Sequence, residues 1–496
     1  MMLALLLAAC TPTWTPSPGG LPPFAPAVVL AATTTGDRIT IDGTILSTQH
    51  VDLDSPTDAH EGFRYQILDA SGEPIYERTT NGPMVVDTFL DFWGEQSQTD
   101  VLAALPTLGR FQVTVPLLPE GRTVQFQLRD AGGSYLDAGQ YDLSRIESDD
   151  LGLHPGVLAF ETLHESGPSE NRLDIVLIPD GYTADELDRF RRKSDRVVEE
   201  LLQRPPYSDY AGLINIHRVE VASNESGASF DCPTCGVRDT AFGSMFPVEA
   251  INRLSGNNYD SRAIFQTDQW GVAQAASVVP WDMAIVLVNT DTRAGMAVHY
   301  ATVTTNWSRF SDTAVHELSH ILGFLGDEYA TDFCIVDDRL GLPPNITDTP
   351  RSPPWSEWIE PSTELPTPAM ADNRGVVGAF SPAYNCDDLY RPRMNCAMNS
   401  GRSFCPVCTE QLVRRILQHA DPIDAIEFEG RRARGVGPLD AVTLEWSRND
   451  KVFATSVPGE YVTVGSRDFE LRARLDAIEV RKNPEDLEQV YRYSSD

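Results

Sequence analysis

The sequence predicts a multidomain α+β protein: an N-terminal β-sandwich, a central α/β domain and a small C-terminal β module. Three observations carry this reading. Short runs of alternating apolar and polar residues, separated by turn clusters, fill residues 28–160, as expected of antiparallel strands in a sandwich. From Leu173 the pattern changes to continuous apolar runs with helical periods between them, the mark of strands covered on both faces. After Pro422 the alternation returns. A chain of 496 residues suits about two to four domains, and the divisions fall at 1–10, 11–27, 28–160, 161–425 and 426–496.

Met1 to Ala9 is apolar without interruption and too short to span a bilayer. Its end, Leu7-Ala8-Ala9-Cys10, resembles a bacterial lipoprotein box, which would make residues 1–10 a signal peptide and Cys10 the lipidated residue. Residues 11–27 are rich in proline and uncharged, a composition that forms an extended tether. In the β-sandwich the expected strands are Arg38–Ile45, Gly62–Leu68, Phe111–Val115 and Thr123–Arg129, with turns at Asp69–Gly72 and Asp130–Gly133. His50, His60 and His154 are scattered there and read as packing or surface residues.

The central domain opens on a buried strand, Leu173–Ile178. Pro179–Tyr182 turns the chain, and Thr183 with Glu186 forms a capping box for a helix that runs to about Gln203. Ile214–Val221 and Met283–Val288 are further strands, and Cys405–His419 reads as a helix. In the C-terminal module the expected strands are Ala441–Trp446, Lys451–Ala454, Tyr461–Val464, Phe469–Arg474 and Ala477–Val480.

Charge excludes one class of partner. Against 39 Lys and Arg stand 72 Asp and Glu, a net charge of −33. Such a surface repels nucleic acid and anionic headgroups. No nucleic-acid partner is expected, and membrane contact is expected only through the N-terminal anchor.

The chemistry lies in Thr313–Tyr329 (TAVHELSHILGFLGDEY). His316 and His320 are four apart on a helical pattern, so both imidazoles leave one face and suit two corners of a tetrahedral zinc site. Glu317 beside them is placed to act as general base on an activated water. Gly323 is expected to end the helix in a left-handed turn that swings a third ligand back to the metal. Asp327 is the preferred third ligand, with Glu328 and the distant His299 as alternatives. Tyr329 or Tyr300 would stabilise the oxyanion. Met283–Val288 followed by Gly295–Tyr300 would supply a strand above the cleft, along which an extended peptide pairs.

These residues resemble the bacterial IgA-peptidase family of metzincin-type zinc metallopeptidases. The resemblance includes Asp174–Tyr182, Ile216–Val221 with Ser226-Gly227, Arg238–Gly243, His316–Tyr329, Asn345–Thr347 with Trp355, Tyr390–Pro392, Cys396–Met398 and Phe404–Cys408. It implies a metzincin-like central domain with one catalytic zinc ion. His316 and His320 would be its ligands, Glu317 the base, an Asp at position 327 the third ligand, and Met398 the Met-turn residue under the metal. Ser319 stands where a small Gly is common in the family.

The chain has eight cysteines. With Cys10 lipidated, the remaining seven are odd in number. The C-x-x-C pairs 232/235 and 405/408 are read as disulfide cysteines rather than a structural zinc site, because the pairs lie too far apart for a zinc ribbon. The functional expectation is a monomeric, lipid-anchored zinc endopeptidase, exported to the outer membrane or cell surface and acting on proteins or peptides. The alternative is a catalytically silent surface lipoprotein whose β modules hold a protein or glycan.

Overall fold

The computed structural model describes residues 24–35, 37–53, 63–80, 109–130, 132–231, 235–247, 263–329, 342–384, 386–465, 468–475, 479–483 and 488–493. Cys10, His60 and most of the expected tether lie outside them. The first strand, β1 (Phe24–Thr35), begins within the segment read as tether. It is followed by β2 (Arg38–Asp52), β3 (Phe63–Leu68), β4 (Pro74–Thr80), β5 (Arg110–Pro116), β6 (Thr123–Arg129) and β7 (Tyr135–Asp142). They form two antiparallel sheets, ordered β2-β1-β5 and β4-β3-β6-β7. Strand alternation places Phe63, Tyr65 and Ile67 inward from one sheet and Val28, Leu30 and Ala32 from the other, in a single shared core. This is the expected sandwich.

A six-stranded sheet organises the central domain. Its strands are β8 (Val157–His164), β9 (Leu173–Asp180), β10 (Ile214–Val221), β14 (Met283–Val288), β15 (Gly295–Ala297) and β16 (Ala301–Thr304). The order is β15-β16-β14-β9-β10-β8. The two outer strands are antiparallel to their neighbours and the four inner ones run parallel. A side sheet of β11 (Ser229–Phe230), β12 (Ser244–Phe246) and β13 (Phe265–Gln266) lies in the sequence between β10 and β14. Every residue of β9 and β10 is buried, as their unbroken composition requires.

Helix α1 (Leu187–Gln203) follows the Thr183–Glu186 capping box, which is present, with a single 3₁₀ turn between. Among the described residues three more helices follow: α2 (Gln269–Ala276), α3 (Phe310–Gly323) and α4 (Pro406–Ile416). Met283–Val288 is interior to the sheet, and the edge on its side is β15 rather than the longer expected strand. No helix among the described residues is long and apolar enough to cross a membrane.

The turn after β9 is held by one carboxylate. Asp180 is fully buried and accepts from the amides of Gly181 (3.0 Å), Phe242 (3.1 Å) and Ser244 (2.9 Å) and from the Thr240 hydroxyl (3.1 Å). Burial nonetheless raises its pKa above the usual carboxylate range. Asp180→Ala would leave the buried Phe242 amide without an acceptor, at about 1–3 kcal/mol, whereas Gly181 N keeps Ser223 Oγ (2.9 Å) and Ser244 N keeps Thr240 Oγ1 (3.2 Å). The expected loss is about 1–3 kcal/mol, read as a lower unfolding midpoint in denaturant. An unchanged midpoint would contradict this reading of the turn.

The C-terminal residues form β17 (Ala425–Glu429), β18 (Arg432–Val436), β19 (Val442–Arg448), β20 (Lys451–Ser456), β21 (Val462–Thr463), β22 (Phe469–Leu475) and β23 (Glu488–Tyr493). Their sheets are ordered β17-β18-β21 and β20-β19-β22-β23. Of the expected strand Ala477–Val480, Val480 lies outside any strand, and the last strand is instead β23. The charged, alternating sequence of β23 pairs only with β22 at the sheet edge, so it carries little apolar signal of its own.

Candidate metal centre

Helix α3 exists because its apolar residues recur at helical spacing. Phe310, Ala314, Val315, Leu318, Ile321 and Leu322 are buried on one side. Beneath them lie residues of β9, α1 and α4 in one continuous core. His316 and His320 leave the other side and remain partly exposed. Ser319, buried between them, donates to Val315 O (2.7 Å) and pairs with the Tyr207 hydroxyl (2.9 Å). The departure from glycine is thus absorbed by two hydrogen bonds.

The helix ends one residue later than expected. Gly323 is its last helical residue, and Phe324 takes the left-handed conformation at φ 51°. Gly323 faces Leu412 too closely for comfort, a Cβ there lying 3.0 Å from its Cδ2. Phe324 is held by Arg415, whose guanidinium lies 4.2 Å from the ring centroid and donates to Leu322 O (3.0 Å). This contact offsets the cost of a left-handed phenylalanine. The chain then reverses, as expected, and brings Asp327 to the two histidines.

Three ligand-type atoms meet there. His316 Nε2 lies 3.1 Å from Asp327 Oδ1 and 3.1 Å from His320 Nε2, and His320 Nε2 lies 3.4 Å from Asp327 Oδ1. Bonds of about 2.0–2.1 Å to a tetrahedral ion would space such atoms by roughly 3.3 Å. The other ring nitrogens are engaged: His316 Nδ1 donates to Ala397 O (2.8 Å) and His320 Nδ1 to Leu325 O (2.5 Å). These bonds fix the tautomers and aim both Nε2 lone pairs at the common point.

The electrostatics agree. Burial disfavours a charged His316, but the hydrogen bond and charge of Asp327, with Glu317, outweigh it and raise His316 to about 9. Burial would raise Asp327, yet His320 and His316 hold it far below the usual carboxylate range. The trio therefore demands positive charge at its centre, which a proton or a metal ion satisfies. His316, His320 and Asp327 form a group able to hold a metal ion.

The other expected residues divide. Glu317 is 7% exposed, and among the described residues none donates a hydrogen bond to its carboxylate. Burial pushes its pKa up against the pull of His316 and His320. Met398 is fully buried in the same core, and its carbonyl accepts from Glu328 N (2.7 Å). Tyr329 follows half-buried. Tyr300 does not join the site: it is buried, and its hydroxyl donates to Gln269 O (2.8 Å) and lies 3.0 Å from Gln112 Oε1. His299 sits against Phe111 of the sandwich, ring centroids 6.2 Å apart, outside the metal-ligating group. Glu328 turns away from the histidines altogether.

Two positioning residues carry no chemical signal in the sequence. Asn345 is fully buried, accepts from Gly326 N (2.8 Å) and donates to Gly326 O (2.9 Å), fixing the peptide before Asp327. Gly295, in edge strand β15, passes so close to α3 that a Cβ would lie 2.4 Å from Glu317 Oε1 and 2.6 Å from Thr313 Cγ2. Gly295→Ala is expected to displace Glu317 and lower kcat by roughly 10- to 100-fold with metal content unchanged. Wild-type kcat in that variant would show that the close approach is unimportant.

Paired histidines on one helix, a carboxylate returned by a tight turn and an unpaired glutamate between them define a metal-dependent hydrolase site. A family model described as IgA Peptidase M64 matches residues 162–375. That segment belongs to the IgA peptidase M64 family, and the chain is a metallopeptidase. The match covers α3 and Asp327 and stops before Met398. No curated protein matches the chain.

The cysteines follow expectation at Cys235 and depart from it at 405/408. Cys235 and Cys386 are in disulfides, whereas Cys396, Cys405 and Cys408 are free and buried. The 405/408 pair is therefore not a disulfide: both thiols are free and gather with Cys396 and Glu328.

Proposed function

We propose that this metallopeptidase is a zinc-dependent endopeptidase acting on exported or extracellular proteins. The carrying observation is the convergence of His316 Nε2, His320 Nε2 and Asp327 Oδ1 at 3.1–3.4 Å. A zinc ion bound there supplies Lewis acidity, polarising the scissile carbonyl and acidifying a water. Glu317, one residue along the helix, takes the water's proton and returns it to the departing amine. Edge strand β15 offers main-chain groups to an extended peptide beside Glu317. Tyr329, two residues after Asp327, is the candidate to stabilise the oxyanion. Export with a lipid on Cys10 belongs to the same proposal, supported by the Leu7–Cys10 box and by disulfides at Cys235 and Cys386.

Metal removal tests it. Casein hydrolysis is expected to disappear after dialysis against a chelator and to return with Zn²⁺. Undiminished hydrolysis in chelator, or none with zinc replete, would sink the reading.

A further inference from the structure

Glu328, Cys396, Cys405 and Cys408 converge about a second point, all buried, with one ligand atom from each within 4.8 Å of the others. Cys396 Sγ lies 3.7 Å from Cys408 Sγ. Glu328 Oε1 is 3.2 Å from Cys408 Sγ and 3.9 Å from Cys405 Sγ. Metal–sulfur bonds of about 2.3 Å in a tetrahedron would space two sulfurs by roughly 3.8 Å, whereas a disulfide needs about 2.05 Å. Cys235 and Cys386 are oxidised in the same chain, yet these three adjacent thiols are not.

The surroundings fit ligation. The Cys405 amide donates to Cys396 Sγ (3.2 Å) and the Cys408 amide to Cys405 Sγ (3.5 Å), as amides do towards metal-bound thiolates. Cys405 is the N-cap of α4, where the helix dipole favours a thiolate. Asn345 Nδ2 donates to Glu328 Oε1 (3.2 Å) and orients it. Glu328 Oε2, fully buried, has no hydrogen-bond partner. A buried carboxylate oxygen left unpaired is costly unless a cation meets it.

We propose that Glu328, Cys396, Cys405 and Cys408 bind a second, structural zinc-class ion. Four protein ligands close the shell, so no position remains for substrate or water. The ion would join the loop after α3, the turn at Cys396–Met398 and the start of α4. Asp327 precedes one of its ligands, and Ala397, which holds His316, follows another. It would therefore hold the catalytic ligands in place, a role that rests on the peptidase reading, although the site itself does not.

The test is metal analysis of the purified full chain, using Zn²⁺ and then Co²⁺ as the probe. Two ions per chain are expected in wild type. One is expected in the His316→Ala/His320→Ala double variant, with a thiolate-to-cobalt charge-transfer band in its near-ultraviolet spectrum. Cys405→Ser/Cys408→Ser should lose that band. Should this variant fail to fold, the double-histidine variant still decides. No ion and no band in it, or a disulfide among the three cysteines in the unreduced mass map, would overturn the proposal. A band there, together with a wild type that cuts no casein, would sink the peptidase reading and leave this site standing.

Discussion

Glu317→Gln is expected to slow casein hydrolysis by roughly 10²–10⁴-fold, the usual contribution of a positioned general base. The amide keeps the size and burial of the side chain but accepts no proton. His316, His320 and Asp327 are untouched, so zinc content and unfolding midpoint should match wild type. That combination separates lost chemistry from lost structure. Glu317 is suited to the role because it is enclosed between α3 and β15 and its oxygens are not spent on a structural bond. If the variant cuts casein at the wild-type rate, another group moves the proton and the proposed mechanism fails.

Asp327→Ala should remove zinc from the histidine site. Its carboxylate is the anionic member of the trio and the atom against which both Nε2 nitrogens are aimed. Losing a mere supporting group around a zinc ligand typically weakens binding by about 10–100-fold, and losing a ligand should exceed that. The measurement is a competition titration against a zinc chelator, with Asp327→Asn as a second variant in case alanine disturbs the loop. Affinity within a factor of two of wild type in both variants would move the third ligand elsewhere.

Much of this architecture was legible in the residues because the informative signals are local. The unbroken apolar run of β9, the Thr183–Glu186 box and the His316–His320 spacing each depend on neighbours within a turn or a strand. The choice of Asp327 over Glu328 followed from position, and the structure turns the two carboxylates in opposite directions. What the sequence does not reveal depends on distant contacts. Phe324, in the left-handed position, packs against the guanidinium of Arg415, about ninety residues on. Tyr300 looked catalytic until Gln269 and Gln112 claimed its hydroxyl. Gly295 gains meaning only when β15 lies against α3. The cysteine cluster draws on positions 328, 396, 405 and 408, a spacing that matches no linear zinc motif.

The junction at the end of the metallopeptidase domain has one more implication. Asn171, at the head of β9, donates from its side chain towards Asp421 O, Ile423 O and Asp424, and Arg172 pairs with Asp424 at 2.7 Å. The interior of the C-terminal sheets, including Leu444, Trp446 and Leu471, is continuous with the one beneath α3. The described C-terminal sheets thus share one interior with the helix that bears the histidines. Substitutions of the inward-facing Leu444, Trp446 or Leu471 should therefore be felt at the active centre as well as within their own sheet.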